Sequence, residues 1–508
     1  MAEEEAPQGQ STTPLVLPPG FDRDSTYLSS DNWTDGQAVR FSKGRPRKMG
    51  GHRSRSASLT GPIRELKLHW HENLGYLHSF GYDRIERLTI TRAGVVSAIT
   101  NRTPASFASN SANNWQHDVL FDEASSTNML ISHCSESLTD IDSGTDRPIY
   151  YGDIEGTAAL TPVGKSIGGG IVALQPYLMA FGHNGEVAWT DASQPTDWAS
   201  GDAGSDRITQ ACIVRGMKYR GSGNSIAGLL WSQDALIKAQ YVGGDNVFDF
   251  QHLASELTIL SSRGVIEYNG RFYWPGVDTF YVFDGTVREL PCDTHHNWFF
   301  DNLNYDQRQK IWAVAVPRWG EIWWFHPRGS STECTHALIF NIRETLRSQR
   351  PVWYDTELAR SAGTRPADFR YPLWADPEAA ANLYQHELGV DSINVSGTSS
   401  AINSYIETNT MAWHSAEGPR KGSDNWVYVD RVEPDMVRQV GDMTVRVTGR
   451  DHARDSDVNE DFTLTSADNK INMDEQRRLM RLRFTSNAVL GDYEFGKILL
   501  SVGQGSGQ

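Results

Sequence analysis

Along most of the chain one pattern recurs. A short run rich in β-branched and aromatic residues stops at a turn bearing Gly or Asn, and a second such run follows. "IVALQPYLMAFGHNGEVAWTD" (171–191) carries Asn184-Gly185, and "VIEYNGRFYWPG" (265–276) carries Asn269-Gly270. Asn-Gly suits a type I′ turn, whose two central residues both take positive φ. "TFYVFDGTVREL" (279–290) turns at Asp284-Gly285, "IAGLLWSQDALIKAQYVGG" (226–244) near Gln233-Asp234, and "IWAVAVPRWGEIWWFHP" at Pro317–Gly320. Helical periodicity is almost absent; 472–484 could begin as a helical turn, but its later half alternates like a strand. Consecutive hairpins over some three hundred residues predict an all-β fold, best housed in a β-propeller, where each sheet is a meander and edges stay short. The repeat is one of pattern rather than identity and fixes no blade number.

The densest apolar stretch is 307–327, with Trp312, Trp319, Trp323 and Trp324. Strand alternation puts Trp312, Val314 and Val316 on one face and Ile311, Ala313 and Ala315 on the other. Beyond the turn, Ile322 and Trp324 oppose Glu321, Trp323 and Phe325. Both faces are apolar, which predicts a strand pair buried on both sides rather than a wet stacking platform. Trp319, in the turn, is the one expected to contact a partner, such as a neighbouring subunit.

From about 392 the texture becomes polar and rich in small residues, then gives further strands. Met443, Val445 and Val447 alternate with Thr444, Arg446 and Thr448, which implies one buried and one solvated face. The expected organisation is an extended, partly disordered N-terminal arm over 1–55, a β-propeller over 56–391, an additional C-terminal β-domain over 392–502 and a flexible tail over 503–508.

The net charge of −16 argues against a protein that coats nucleic acid through a basic face. Four scattered cysteines, with no C-x-x-C pair, form neither a disulfide framework nor a zinc module. The N-terminus lacks the features of a signal peptide, and no run of about 18 apolar residues offers a membrane span. Against the acidic background, 40–55 holds Arg40, Lys43, Arg45, Arg47, Lys48, Arg53 and Arg55 and no acid. This basic cluster is a candidate contact with DNA or a partner protein.

Motifs for chemistry fail on spacing. "CDTHH" (292–296) sets adjacent histidines that a strand would point apart. "YQHELGVD" (384–391) has Val390 where a zinc motif needs its second His. "KSIGGGIV" (165–172) lacks the Lys-Ser/Thr of a phosphate loop. "WTDASQPTDW" (189–198) reads as a turn. No catalytic residue, metal site or cofactor is therefore expected.

"AVRFSKGRPRKMGG", "GHNGEVAWTDASQPTDW", "FYWPGVDTFYVFDGTVRELP", "FFDNLNYDQRQKIWAVAVPRWGEIWWFHP" and "LYQHELGVD", in this order, resemble phrases of the tail hub or nozzle proteins of short-tailed bacteriophages, the packaged-DNA stabilisation family. The resemblance covers roughly residues 38–500 and departs at "VEPDM" (432–436), where the family reads "IEPDM". It implies a non-enzymatic structural virion protein of the tail, assembled in the host bacterial cytoplasm. It further implies a homo-oligomer, a hexameric ring, below the portal and adaptor (the head-to-tail connector), with tail fibres or spikes attached. Such a tube retains genomic double-stranded DNA and conducts it at ejection. The competing expectation is a carbohydrate-binding or carbohydrate-cleaving propeller of a phage tail, since propellers host both chemistries.

Overall fold

The structure is a computed structural model that describes residues 11–26, 28–105, 107–110, 114–135, 145–220, 227–244, 246–365, 369–412, 426–452 and 454–505. Six four-stranded antiparallel meanders follow one another from Ile63 to Glu357, and a seventh, six-stranded sheet follows them. Their first strands are Ile63–His71, Asn114–Asp122, Gly170–Leu174, Ile213–Tyr219, Ile266–Tyr268, Trp312–Val316 and Ala362–Thr364. These sheets are the blades of a β-propeller, numbered one to seven.

The packing shows why the sheets form a ring. Each junction between adjacent blades has its own apolar cluster. Phe80 and Ile85 of blade one meet Trp115 and Leu130 of blade two. Val172 and Phe181 of blade three meet Ile213 and Leu230 of blade four. Trp231 meets Trp274 across blades four and five, and Phe280 meets Trp324 across blades five and six. Leu373 and Leu383 of blade seven return to Leu66 and Leu77 of blade one. A blade buries both faces only when both neighbours are present, so closure is what stabilises each sheet.

The last blade is completed from the far end of the chain. Ala362–Thr364, Leu373–Ala375 and Ala380–His386 supply three strands, and His52–Thr60 pairs antiparallel with Ala380–His386 as the fourth. The expected arm over 1–55 is thus corrected: its end lies inside a propeller strand.

Local turn chemistry behaves as the sequence suggests at two sites. Asn269 (φ 53°) and Gly270 (φ 78°) form a two-residue hairpin loop, and Asn184 (φ 52°) and Gly185 (φ 64°) also take positive φ. At Asp284-Gly285 the loop is one residue longer and includes Thr286.

The second unit is a sandwich of two six-stranded sheets. One contains Val39–Ser42, Arg45–Lys48, Asp492–Gly505, Trp426–Val440 and Ile471–Arg477, with Ser11–Leu15 added on Asp492–Gly505. The other contains Asp35–Gln37, Ser404–Glu407, Leu479–Ser486, Met443–Arg450 and Val458–Leu464, with Met411–Ala412. Two expectations change here. Residues 11–15 are a strand rather than part of a disordered lead, and 503–505 belong to a strand rather than a tail; 1–10 and 506–508 lie outside the described residues. The 472–484 stretch is strand on both sides of Arg478. Met443, Val445 and Val447 are buried as the alternation requires, and Thr448 is buried with them.

Blade six packs directly on the sandwich. Trp312, Val314, Val316, Trp323 and Phe325 share one core with Phe41, Val429, Val445 and Phe484. Ile322 and Trp324 face blade five. The two adjacent tryptophans therefore serve two different interfaces, as alternation demands.

Candidate functional site in the propeller channel

The basic stretch does not form the contact surface expected of it. Val39–Ser42 and Arg45–Lys48 are a hairpin folded into the sandwich. Arg40 is fully buried, 3.0 Å from Glu321 and 2.5 Å from Glu387. Lys48 is buried with Nζ donating to the Gly491 carbonyl at 2.8 Å. Arg45 and Arg47 both pair with Glu494, and Arg55 donates to Gln385. Only Lys43 and Arg53 have no side-chain partner among the described residues; the Lys43 backbone N–H donates to Glu344. Trp319 is half-buried, donates to Glu387 at 2.8 Å, and lies against Arg40, Arg47 and Arg318 at 4.6–4.9 Å. Its ring holds internal cations together.

The rejected motifs resolve into structural roles. His295 Nε2 lies 3.2 Å from Asp355, which Arg23 also grips. Burial drives the Cys292 thiol well above its ordinary pKa, which leaves it unreactive. His386 is buried beside Arg360, and Glu387 is committed to Arg40. A Cβ on Gly169 would fall 1.9 Å from the Ile213 carbonyl, so the glycine run exists for close passage between blades. Among the described residues no three His, Cys, Asp or Glu side chains gather as a metal site.

The concentration of ionisable groups lies elsewhere, on the first strands of the blades. These adjoin one another round the ring, Ile63–His71 lying beside both Asn114–Asp122 and Ala362–Thr364. Ile63–His71 alternates: Leu66 and Leu68 enter the blade core, while Glu65, Lys67 and His69 take the other face and stay partly accessible. On Asn114–Asp122, adjacent residues point apart. His117 turns to blade one, 3.8 Å from Glu65, with its ring stacked on Phe80. Asp118 turns to blade three, where Oδ2 accepts from the Ala173 N–H at 2.8 Å and Oδ1 accepts from Lys218 Nζ at 2.8 Å and its neighbour Val119 N–H. Blade four contributes Arg215 and Lys218. His117, Asp118, Arg215 and Lys218 line a cavity of about 600 Å³ whose wall continues through Ile171 and Phe272.

The electrostatics follow from depth. Burial pushes the Glu65 carboxyl above the usual glutamate range, and the pull of Arg263, Arg215 and Lys67 does not reverse it. Burial holds His117 well below its ordinary value, and Lys67 and Arg215 repel its proton further. Burial also lowers Lys67 and Arg215, against the favourable charges of Asp118 and Glu65. Arg263, which donates to the Lys310 and Ser361 carbonyls, is brought down to about 10. One carboxyl thus keeps its proton beyond the ordinary range, while the second is gripped by three donors. Carboxyls in contrasting surroundings are what acid–base chemistry on a glycosidic bond uses.

Sequence reasoning missed this cluster. Its members are separated by up to roughly two hundred residues, and each sits in an ordinary alternating strand. The one local signal is the unbroken polar series Glu65, Lys67, His69 and His71 on a strand whose other face is apolar.

No family model matches the chain, and no curated protein matches it. Among solved structures it is similar to an exo-β-1,3-galactanase from Phanerochaete chrysosporium in complex with galactose, at 11% identity and a TM-score of 0.25, covering 89% of this chain and 100% of that one. The expectations of a catalytically inert protein and of a genome-retaining tail tube find no support in these comparisons; the solved structure named is a galactanase, which is on the side of the competing carbohydrate expectation. A likeness of that size assigns no residue role and no substrate.

Proposed function

We propose that the protein is a carbohydrate-cleaving β-propeller whose site is the channel cluster around Glu65 and Asp118. The observation that carries this reading is the pairing of two unlike carboxyls about the same cations, Lys67 and Arg215. Glu65, whose carboxyl burial pushes towards the protonated form, is the proton donor to a departing sugar oxygen. Asp118, oriented by Lys218 and two backbone N–H groups, is the carboxylate that serves as base or nucleophile. The neutral His117 ring beside Glu65 keeps the proton on the carboxyl rather than on imidazole. The five sequence phrases support a virion-tail location and a homo-oligomeric ring with adaptor and fibre or spike proteins as neighbours, and these belong to the same proposal. Residues 11–60 serve the propeller and sandwich in this reading, not a partner.

The test is release of reducing ends from bacterial envelope polysaccharide by purified protein, beside the E65Q and D118N variants. Turnover by the parent protein that falls by about 10²–10⁴-fold in both variants, the worth of a positioned acid or base, is expected. Absence of turnover, or turnover indifferent to both substitutions, overturns the reading.

A further inference from the structure

Of the cations in the channel, two have no contact partner among the described residues, although the charges of Glu65 and Asp118 reach both from further off. Lys218 is paired with Asp118, and Arg263 donates to two carbonyls. The side chains of Lys67 and Arg215 make neither an ion pair nor a hydrogen bond with a described residue, and the Nε of Arg215 is sealed from solvent without an acceptor. Both residues nevertheless keep some accessible surface, as groups facing an internal channel do. A cation taken out of water without a partner is costly, and proteins keep such groups where a ligand supplies the missing charge.

The arrangement says what kind of charge. Arg215 lines the 600 Å³ cavity together with Lys218 and His117, and the wall also carries the apolar Ile171, Val172 and Phe272. Lys67 and Lys218 act on His117 from different blades, so positive groups approach the same ring from more than one side. A guanidinium beside ammonium groups matches a planar carboxylate, which it holds through two parallel N–H donors. The apolar wall suits the faces of sugar rings. The cavity volume accommodates more than a bare ion.

We infer that the channel site takes an acidic sugar, one bearing a carboxylate that is held by Arg215 and Lys67. This rests on the glycan reading of the same site and narrows it to uronic-acid or nonulosonic-acid residues. The sugar carboxylate completes the charge balance of the cluster, while Glu65 and Asp118 remain free for the glycosidic bond.

Calorimetric titration of the full chain decides it, with four probes: a neutral gluco-oligosaccharide, an oligogalacturonide of equal length, a sialyl-oligosaccharide and inorganic sulfate. One of the two acidic oligosaccharides should bind at least about ten-fold more tightly than the neutral one, the worth of one charge-assisted hydrogen bond. R215M and K67M should each erase that preference, weakening the acidic sugar by more than the neutral one. Their melting temperatures should equal or exceed the parent's, since each removes a buried cation that has no contact partner among the described residues. Equal binding of neutral and acidic sugars overturns the inference while leaving a glycan site standing. Sulfate binding as tightly as the acidic sugar reduces the site to a simple anion pocket and overturns it too. No binding of any oligosaccharide removes both the inference and the reading beneath it. Should R215M fail to fold, K67M alone carries the comparison.

Discussion

Replacing Arg40 with methionine isolates a charge arrangement buried between the propeller and the sandwich. Arg40 and Glu321 are each 0% exposed, and Glu387 is 8% exposed. Glu321 also accepts from Trp323 Nε1 at 2.8 Å and Tyr354 Oη at 2.7 Å, and Glu387 accepts from Trp319. Methionine fills much of the volume but leaves two carboxylates without their cation, and breaking a buried pair in this way costs about 3–5 kcal/mol. The loss is expected to depend on pH. Burial already raises the Glu321 pKa, and Arg40 opposes that rise. Without Arg40 the folded-state value climbs further above the unfolded one, so the folded form binds more protons. Stability is then fullest at low pH and is lost as pH rises through the folded pKa. R40M should therefore be more severely destabilised at pH 8 than at pH 5. Adding E321Q should recover part of the loss, because the amide needs no counter-charge. Urea unfolding followed by tryptophan fluorescence reads all three, taking the first transition, since a chain of two units need not unfold in one step. A loss below about 1 kcal/mol, the range of exposed pairs, or an equal loss at both pH values, would refute the argument.

Trp324→Ala should cost about 3–5 kcal/mol, because the side chain is fully buried, packs on Phe280 and Trp353 and donates to the Gly264 carbonyl at 2.9 Å; a change below about 1 kcal/mol in the same unfolding assay would contradict that burial. All four cysteines are buried, with Cys334 pushed up to about 12, so a thiol reagent should label the protein only after denaturation, and fast labelling in native buffer would count against the packing. Turnover of polysaccharide should decline on the alkaline side only above the ordinary glutamate range, since Glu65 must be protonated and burial raises its pKa; a decline centred at or below that range would remove Glu65 from the donor role.

What could be read from the sequence was what neighbouring residues decide between themselves. Asn269-Gly270 selects its turn because only certain residues tolerate two positive φ angles in succession, and the structure has both. Trp323 and Trp324 divide between two cores because adjacent strand residues point apart. The basic stretch was misread for the converse reason. Seven cations within sixteen residues look solvated until their partners are known, and Glu321, Glu387 and Glu494 lie hundreds of residues away. The channel cluster was equally hidden, because Glu65, Asp118 and Arg215 meet only once the blades have closed. The sandwich was legible in its later strands alone; nothing near residues 35–48 announces that they will pair with strands at the other end of the chain.

The closing strand sets a timetable for the ribosome. His52–Thr60 leaves the exit tunnel before Ala380–His386, which it must pair with, is made roughly 320 residues later, a delay on the order of tens of seconds at about 5–20 residues per second. The hairpin at 39–48 waits longer still, for a strand that starts at Asp492. Throughout that interval the nascent chain carries unsatisfied strand edges at its leading end and an open arc of blades behind it. Such edges are templates for pairing with another chain. Residues 40–55 carry seven cations and no acid, and charge on a strand edge opposes such pairing until the partners arrive.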